Sequence, residues 1–171
     1  MEGTKIVADL MAVAARTAPK TKGEDYVLVE LLDHEKRDRL GREMVNYGEK
    51  NKNPGFTRDG RNVLDSEIVV LIGLKDADVA DLNCGACGEA ACIEINTFDG
   101  QFMGPQCAFR ILDMGIALGS AVKIAGMMNV DNRIMYRAGF IAREIGLTDA
   151  DFVMGIPLST TGKSIYFDRS G

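Results

Sequence analysis

The sequence predicts a single α/β (α+β) domain, a small sheet covered by helices. Three observations lead there. Tyr26 to Leu32 and Ile68 to Leu74 are short, β-branched, nearly unbroken apolar runs of strand length. Segments with helical spacing of apolar residues precede, separate and follow them. No fixed-period repeat, low-complexity tract or Pro/Gly/Ser linker divides the 171 residues.

Lys5 to Arg16 places Ile6, Leu10, Met11, Ala14 and Ala15 at helical spacing, and the helix should stop before Pro19, whose ring disfavours helical geometry in the residue before it. A turn over Lys20 to Asp25 leads into the first strand. Asp33 is placed to cap a helix from about His34 to Tyr47, with Leu40, Met44 and Tyr47 on its apolar side. Gly48 to Gly60, rich in glycine and asparagine around Asn53-Pro54-Gly55, reads as a surface loop. The second strand follows at Ile68.

Beyond the cysteines, Gln106 to Met128 reads as a long small-residue helix with Leu112, Ile116, Ala117, Ser120, Ala121 and Ile124 as its buried stripe. Asp113 and Lys123 argue against a membrane span. Gly115 and Gly119 lie one turn apart and would let a second helix come close, within the fold or across a homodimer interface. Asp131 is placed to cap a helix over Asn132 to Ile145 closed by Gly146, and Asp151 to Leu158 reads as a third strand.

Composition narrows the function. At 46% apolar and 26% charged the chain is an ordinary globular domain. A chain of this length buries roughly 70% of its unfolded surface, so neither a disulfide nor a metal is needed merely to hold it together. A net charge of −5 argues against non-specific affinity for nucleic acid or anionic membranes. Glu2, Lys5, Asp9 and Arg16 interrupt any secretory core in the opening segment, so the expected location is cytoplasmic.

All four cysteines fall between Cys84 and Cys107, in the spacing C-x2-C-x4-C-x14-C. Three thiolates in a short stretch can wrap one corner of a compact inorganic core, and a fourth from beyond a loop can close it, which is what an iron–sulfur cluster requires. Gly85 and Gly88 allow the tight turns that aim backbone N–H groups at sulfur. Rival readings stand beside this one. A disulfide framework suits neither the expected compartment nor the length. A thioredoxin-like pair, Cys84 and Cys87, would leave Cys92 and Cys107 without a role. Four thiolates also suit Zn²⁺, although zinc ribbons arrange them as two separated C-x2-C pairs. The favoured reading is one [4Fe–4S] cluster on Cys84, Cys87, Cys92 and Cys107, with [2Fe–2S] and zinc as alternatives, acting in single-electron transfer with a redox partner protein or second cofactor.

The motif Cys84-Gly85-Ala86-Cys87-Gly88, followed by Cys92 and a later Cys107, resembles the small [4Fe–4S] domains of corrinoid iron–sulfur proteins and related electron carriers. A longer likeness, from Asp113 to Ser120, from Asn129 to Arg137 and from Met154 to Lys163, is to the uncharacterised ferredoxin-domain-containing proteins of anaerobic bacteria and archaea. That resemblance implies a cluster protein, with residues 84–107 the cluster-binding segment inside one domain of residues 1–171.

A second resemblance lies at the two ends. Ala14 to Pro19 before a strand, and a helix closing in Gly146-Leu147 before a strand that ends Gly155-Ile156-Pro157, are similar to flavin-dependent nitroreductases. This implies a nitroreductase-like core into which the cysteine segment is inserted, and an FMN-dependent reductase as the competing function. Arg16, Lys20 and Lys22 are then the candidate contacts to the flavin phosphate. The basic motif that holds that phosphate in the family is missing, Lys20 stands where its Ala-Pro-Ser motif has serine, and the usual asparagine and glutamine are absent.

Two other signals carry less. Thr161-Gly162-Lys163-Ser164 looks like the tail of a phosphate loop, but Pro157 occupies the position of its first glycine and no helix is expected after it. His34, the single histidine, reads as a surface residue in the first turn of a helix.

Overall fold

A computed structural model describes residues 2–167. The elements are α1 (Glu2–Thr17), a 3-10 turn (Thr21–Gly23), β1 (Val27–Leu32), α2 (His34–Lys50), α3 (Pro54–Leu64), β2 (Ile68–Leu74), β3 (Phe98–Asp99), β4 (Met103–Gly104), α4 (Ala108–Met127), β5 (Asp131–Asn132), α5 (Tyr136–Glu144) and β6 (Phe152–Ser159). The predicted mixed architecture holds: β1-β2-β6-β5 form one antiparallel sheet, and β3 and β4 form a separate small hairpin.

β2 explains why its sequence runs apolar without interruption. It lies between β1 and β6, and all seven residues are buried. Ile68, Val70, Ile72 and Leu74 face a core built with α1 and α4, whereas Val69 and Leu71 face a second core built with α2, α3 and α5. A strand covered on both faces has no reason to alternate with polar residues.

The Asp33 cap is as predicted, its carboxylate accepting from the Lys36 N–H at 3.0 Å. The loop expected over 48–60 is instead largely helix. Asn53 accepts from the Gly55 N–H at 3.1 Å, Pro54 takes the first turn where its missing N–H costs nothing, and Phe56, Asp59, Gly60 and Val63 turn inward. The glycines that read as turn formers serve close helix packing: a Cβ on Gly48 would lie 2.4 Å from Thr57 Oγ1, and one on Gly60 would lie 2.9 Å from the Gly41 carbonyl oxygen.

Two further expectations shift. Asp131 does not cap α5; it pairs with Ser159 in β5, and Met135 exchanges backbone bonds with Gly155 at 2.8 and 3.0 Å, which keeps the chain extended until Tyr136. On α4 the buried side is Arg110, Asp113, Met114, Ala117, Leu118, Ala121 and Ala125, while Leu112 and Ile116 are exposed. α1 is offset in the same way, burying Thr4, Val7, Ala8, Met11 and Ala15 and exposing Ile6 and Leu10. Both helices are apolar around most of their circumference, so periodicity could not choose the face. Gly115 and Gly119 point to open space, so the close helix approach they permit is not made within the fold. Among the described residues no helix is long and apolar enough to cross a membrane.

Candidate metal centre

The connection from β2 to α4 is fastened at both ends and displayed in the middle. At its start the Asp151 N–H donates to the Leu74 carbonyl at 2.8 Å, and the Asp76 N–H donates to the Asp151 carboxylate at 2.7 Å. Ala77 and Ala80 are buried. Residues 81–91 are all exposed. At the far end the β3–β4 hairpin is tied to the start of β6 by the Met103 N–H bond to the Asp151 carbonyl at 2.9 Å and by the Phe102 ring 4.6 Å from that of Phe152, and to α5 by Arg143, 2.7 Å from Asp99.

Between these anchors Gly85 and Gly88 have φ of +70° and +93°, the left-handed conformation the sequence required of them, and the Gly88 N–H closes a turn onto the Gly85 carbonyl at 2.9 Å. Asn83 Oδ1 accepts from the Cys92 N–H at 3.0 Å, which folds the second half of the motif back on the first. Cys107 is the N-cap residue of α4. The positive end of a twenty-residue helix therefore sits beside its sulfur, and favours negative charge there.

The four cysteines, free of disulfides, line one pocket. Val79, Ala91, Ile93, Ala108 and Phe109 supply its apolar wall. Cys84 and Cys87 lie on the exposed side, and Cys92 and Cys107 are half-buried. Among the described residues no three His, Cys, Asp or Glu side chains are drawn together in ligating positions, so the thiols surround the pocket and do not converge on a point. The donor set fits an iron–sulfur core: soft sulfur ligands, an apolar wall, and unpaired backbone donors at a helix start.

Sequence reasoning missed Arg110. Only 1% exposed, it donates to the Asp78 carbonyl at 2.9 Å and to the Thr21 carbonyl at 3.0 Å, pairs with Glu24 and with Asp113 (3.4 Å), and lies 4.7 Å from the centre of the Tyr26 ring. Asp113 in turn accepts from the Thr21 N–H and hydroxyl, each at 2.8 Å. One buried guanidinium thus joins the turn after α1, the approach to Cys84 and the helix that begins at Cys107. The i, i+3 pair of opposite charges in a helix whose one other charge is Lys123 was the available signal.

The three basic residues assigned to a flavin phosphate are occupied locally. Lys20 Nζ, with its side chain almost fully buried, donates to the carbonyls of Arg16 (2.6 Å), Ala18 (2.8 Å) and Ala15 (3.4 Å), closing the C-terminus of α1. Arg16 pairs with Asp25 at 2.8 Å and with the Val27 carbonyl, and Lys22 donates to the Ala80 carbonyl at 3.3 Å. Arg16 and Lys20 meet at Asp25, whereas Lys22 turns toward the cysteine loop. His34 is exposed, its Nδ1 3.0 Å from Arg37. Thr161 to Ser164 forms a bend without a following helix among the described residues, and Lys163 is exposed.

Residues 103–169 match the family described as uncharacterized proteins containing a ferredoxin domain. An uncharacterized protein of Archaeoglobus fulgidus is 47% identical in an alignment covering 99% of this chain and 93% of that one. The chain belongs to this ferredoxin-domain family. Solved structures that share the fold of this family member include nitroreductases and an NADPH:FMN oxidoreductase. The FMN-dependent nitroreductase NfnB of Mycobacterium smegmatis, in complex with NADPH, superposes with a TM-score of 0.63 at 12% identity over 98% of this chain and 85% of that one. Nitroreductase A of Vibrio parahaemolyticus gives 0.59 at 11% identity over 94% of this chain. The NADPH:FMN oxidoreductase of Vibrio harveyi, complexed with NAD+, gives 0.58 at 14% identity, also over 94%. The chain spans about three fifths of the two Vibrio proteins, 60% and 61%. At such identities the likeness is one of fold, and the nitroreductase-like core expected from the two ends of the sequence is present.

Proposed function

We propose that this protein binds one iron–sulfur cluster, [4Fe–4S], through Cys84, Cys87, Cys92 and Cys107, and exchanges single electrons with a partner protein or second cofactor. The observation that carries the reading is that these four cysteines, separated by up to 23 positions, line one apolar pocket at the start of α4. Membership in a ferredoxin-domain family supports it. When bound, the cluster supplies reversible one-electron chemistry. The chain does the rest: glycine turns and the α4 N-terminus present donors toward sulfur, Phe109, Ile93 and Val79 limit water, and exposure at Cys84 and Cys87 keeps one side open to a partner.

Charge placement bears on that partner. Residues 76–107 hold Asp76, Asp78, Asp81, Glu89, Glu94 and Asp99 and no Lys, Arg or His. All six carboxylates are exposed. This segment alone carries −6, more than the net −5 of the whole chain. Such a rim attracts a positively charged docking face and steers its approach at low salt.

The nitroreductase fold favours a second reading, an FMN-dependent reductase, against which Arg16, Lys20 and Lys22, the candidates for the flavin phosphate, are held by local partners. Anaerobic purification of the chain and of its four Cys→Ser variants separates the readings. Brown protein whose iron content falls in every variant supports the cluster. Yellow colour that survives iron removal and is released by heat supports flavin, and colourless protein with one zinc per chain contradicts both.

A further inference from the structure

Among residues that take no part in lining the cysteine pocket, α3, the segment after β5 and the first turn of α5 bring three arginines around one carboxylate. Asp59 is 1% exposed. Its Oδ1 accepts from Arg58 Nη2 at 2.7 Å and Nε at 2.9 Å, and its Oδ2 accepts from Arg137 Nη1 at 2.8 Å. Arg133 Nη1 stands 3.8 Å from Oδ1, too far for a hydrogen bond.

The balance is three positive charges to one negative. Two guanidiniums share the carboxylate and the third has only a distant claim on it, so the group holds an excess of two positive charges. Keeping them together costs repulsion, and the fold is shaped to do so. A Cβ on Gly55 would lie 2.9 Å from Arg137 Cζ, so glycine there lets the guanidinium lie against the start of α3 where a larger residue would push it aside. The Phe56 and Tyr136 rings lie 5.5 and 5.0 Å from it, and the Phe167 ring lies 5.6 Å from that of Arg133. Arg137 Nε is buried without a hydrogen-bond partner.

The cluster is also reachable. The side chains of Arg58, Arg133 and Arg137 are 40%, 27% and 23% exposed, although the carboxylate that gathers them is hidden behind. Of the three, Arg58 also lines a groove along α3, with Thr57, Arg61 and Asn62 and with Asp65 as its acidic member. We propose that Arg58, Arg133 and Arg137, splayed by Asp59, form a binding site for a phosphoryl group, free or carried by a small molecule that extends past Arg58 along this groove. A dianion matches the two excess charges, and its several oxygens match planar forks that present paired N–H donors. A lone carboxylate would leave one charge unanswered. The site does not depend on what the cysteines hold.

The test uses the full chain. Inorganic phosphate, pyrophosphate and AMP are each titrated against thermal stability and by calorimetry, with chloride at equal ionic strength as reference. The expected result is a saturable rise in Tm with at least one of them, and an affinity about tenfold weaker in Arg133→Gln. Arg133 makes no hydrogen bond to Asp59, so this variant keeps the folded network; Arg58→Gln serves as a second. Lys123→Gln, on the exposed side of α4, should bind as the parent does. Tighter binding of AMP than of both inorganic anions assigns the site to a carried phosphoryl group, and the reverse to the free anion. No saturable response, or equal affinities in the parent and both arginine variants, would overturn the proposal.

Discussion

Arg110 Nε donates to the Asp78 carbonyl at 2.9 Å, bonding the helix that begins at Cys107 to the segment that leads to Cys84. This and the neighbouring bonds of one buried guanidinium join the two segments that carry the halves of the cysteine set, which are far apart in sequence. Arg110→Met leaves Asp113 buried with its cationic partner gone and frees the loop entry. A loss of about 3–5 kcal/mol in urea unfolding is expected, the scale of breaking a buried ion pair. Arg110→Lys should recover little of it, since an ammonium cannot reproduce bonds to several acceptors in one plane. Stability of Arg110→Met within 1 kcal/mol of the parent, as a rough bound set by exposed pairs, would count against the role given to Arg110.

The acidic rim predicts a signed effect on the bound cluster. Glu89→Gln with Glu94→Gln removes two exposed negative charges beside the pocket, and voltammetry should then give a higher reduction potential. Electron transfer to a cationic partner should slow as salt rises in the parent, and less steeply in the double variant. A lower potential in the double variant would contradict this.

Tyr166 predicts an alkaline limit. Its hydroxyl, 3% exposed as a residue, is bonded to Ser66 at 2.8 Å, and burial pushes its pKa well above the ordinary tyrosine value despite that bond, with Asp131, Glu67 and Asp65 adding to the rise. The unfolded chain loses this proton near pH ~10 whereas the folded chain keeps it, so the contribution is complete below that pH and declines as pH rises further. Urea midpoints should fall between pH 9 and 11, and Tyr166→Phe should flatten the fall. Equal slopes in the two proteins would contradict the assignment.

Gly139 predicts an intolerant position. A Cβ there would lie 1.9 Å from the Val153 carbonyl oxygen, because α5 rests directly on β6. Gly139→Ala should cost about 3 kcal/mol, the upper range for overpacking, although alanine is otherwise the better helix former. A stabilised variant would show that α5 moves away without penalty.

What was legible in the sequence follows from which physical signals are local. β2 was readable to the residue because a strand buried on both faces is apolar throughout, and Asp33 because a cap acts over three residues. α3 was not readable: Gly48, Gly55 and Gly60 look like turn formers until a neighbouring helix or the Arg137 side chain is seen against them. The buried faces of α1 and α4 were misjudged at Ile6, Leu10, Leu112 and Ile116, where apolar residues surround the helix and only tertiary contact decides. That the four cysteines would be brought to one pocket was legible from their spacing. Arg110 and the Asp59 group were not, since their partners come from distant segments.

Iron and acid-labile sulfide per chain in protein purified without oxygen test the central claim most directly. About four of each, with absorption near ~400 nm that bleaches on reduction, is the predicted result. One zinc per chain without sulfide would contradict it.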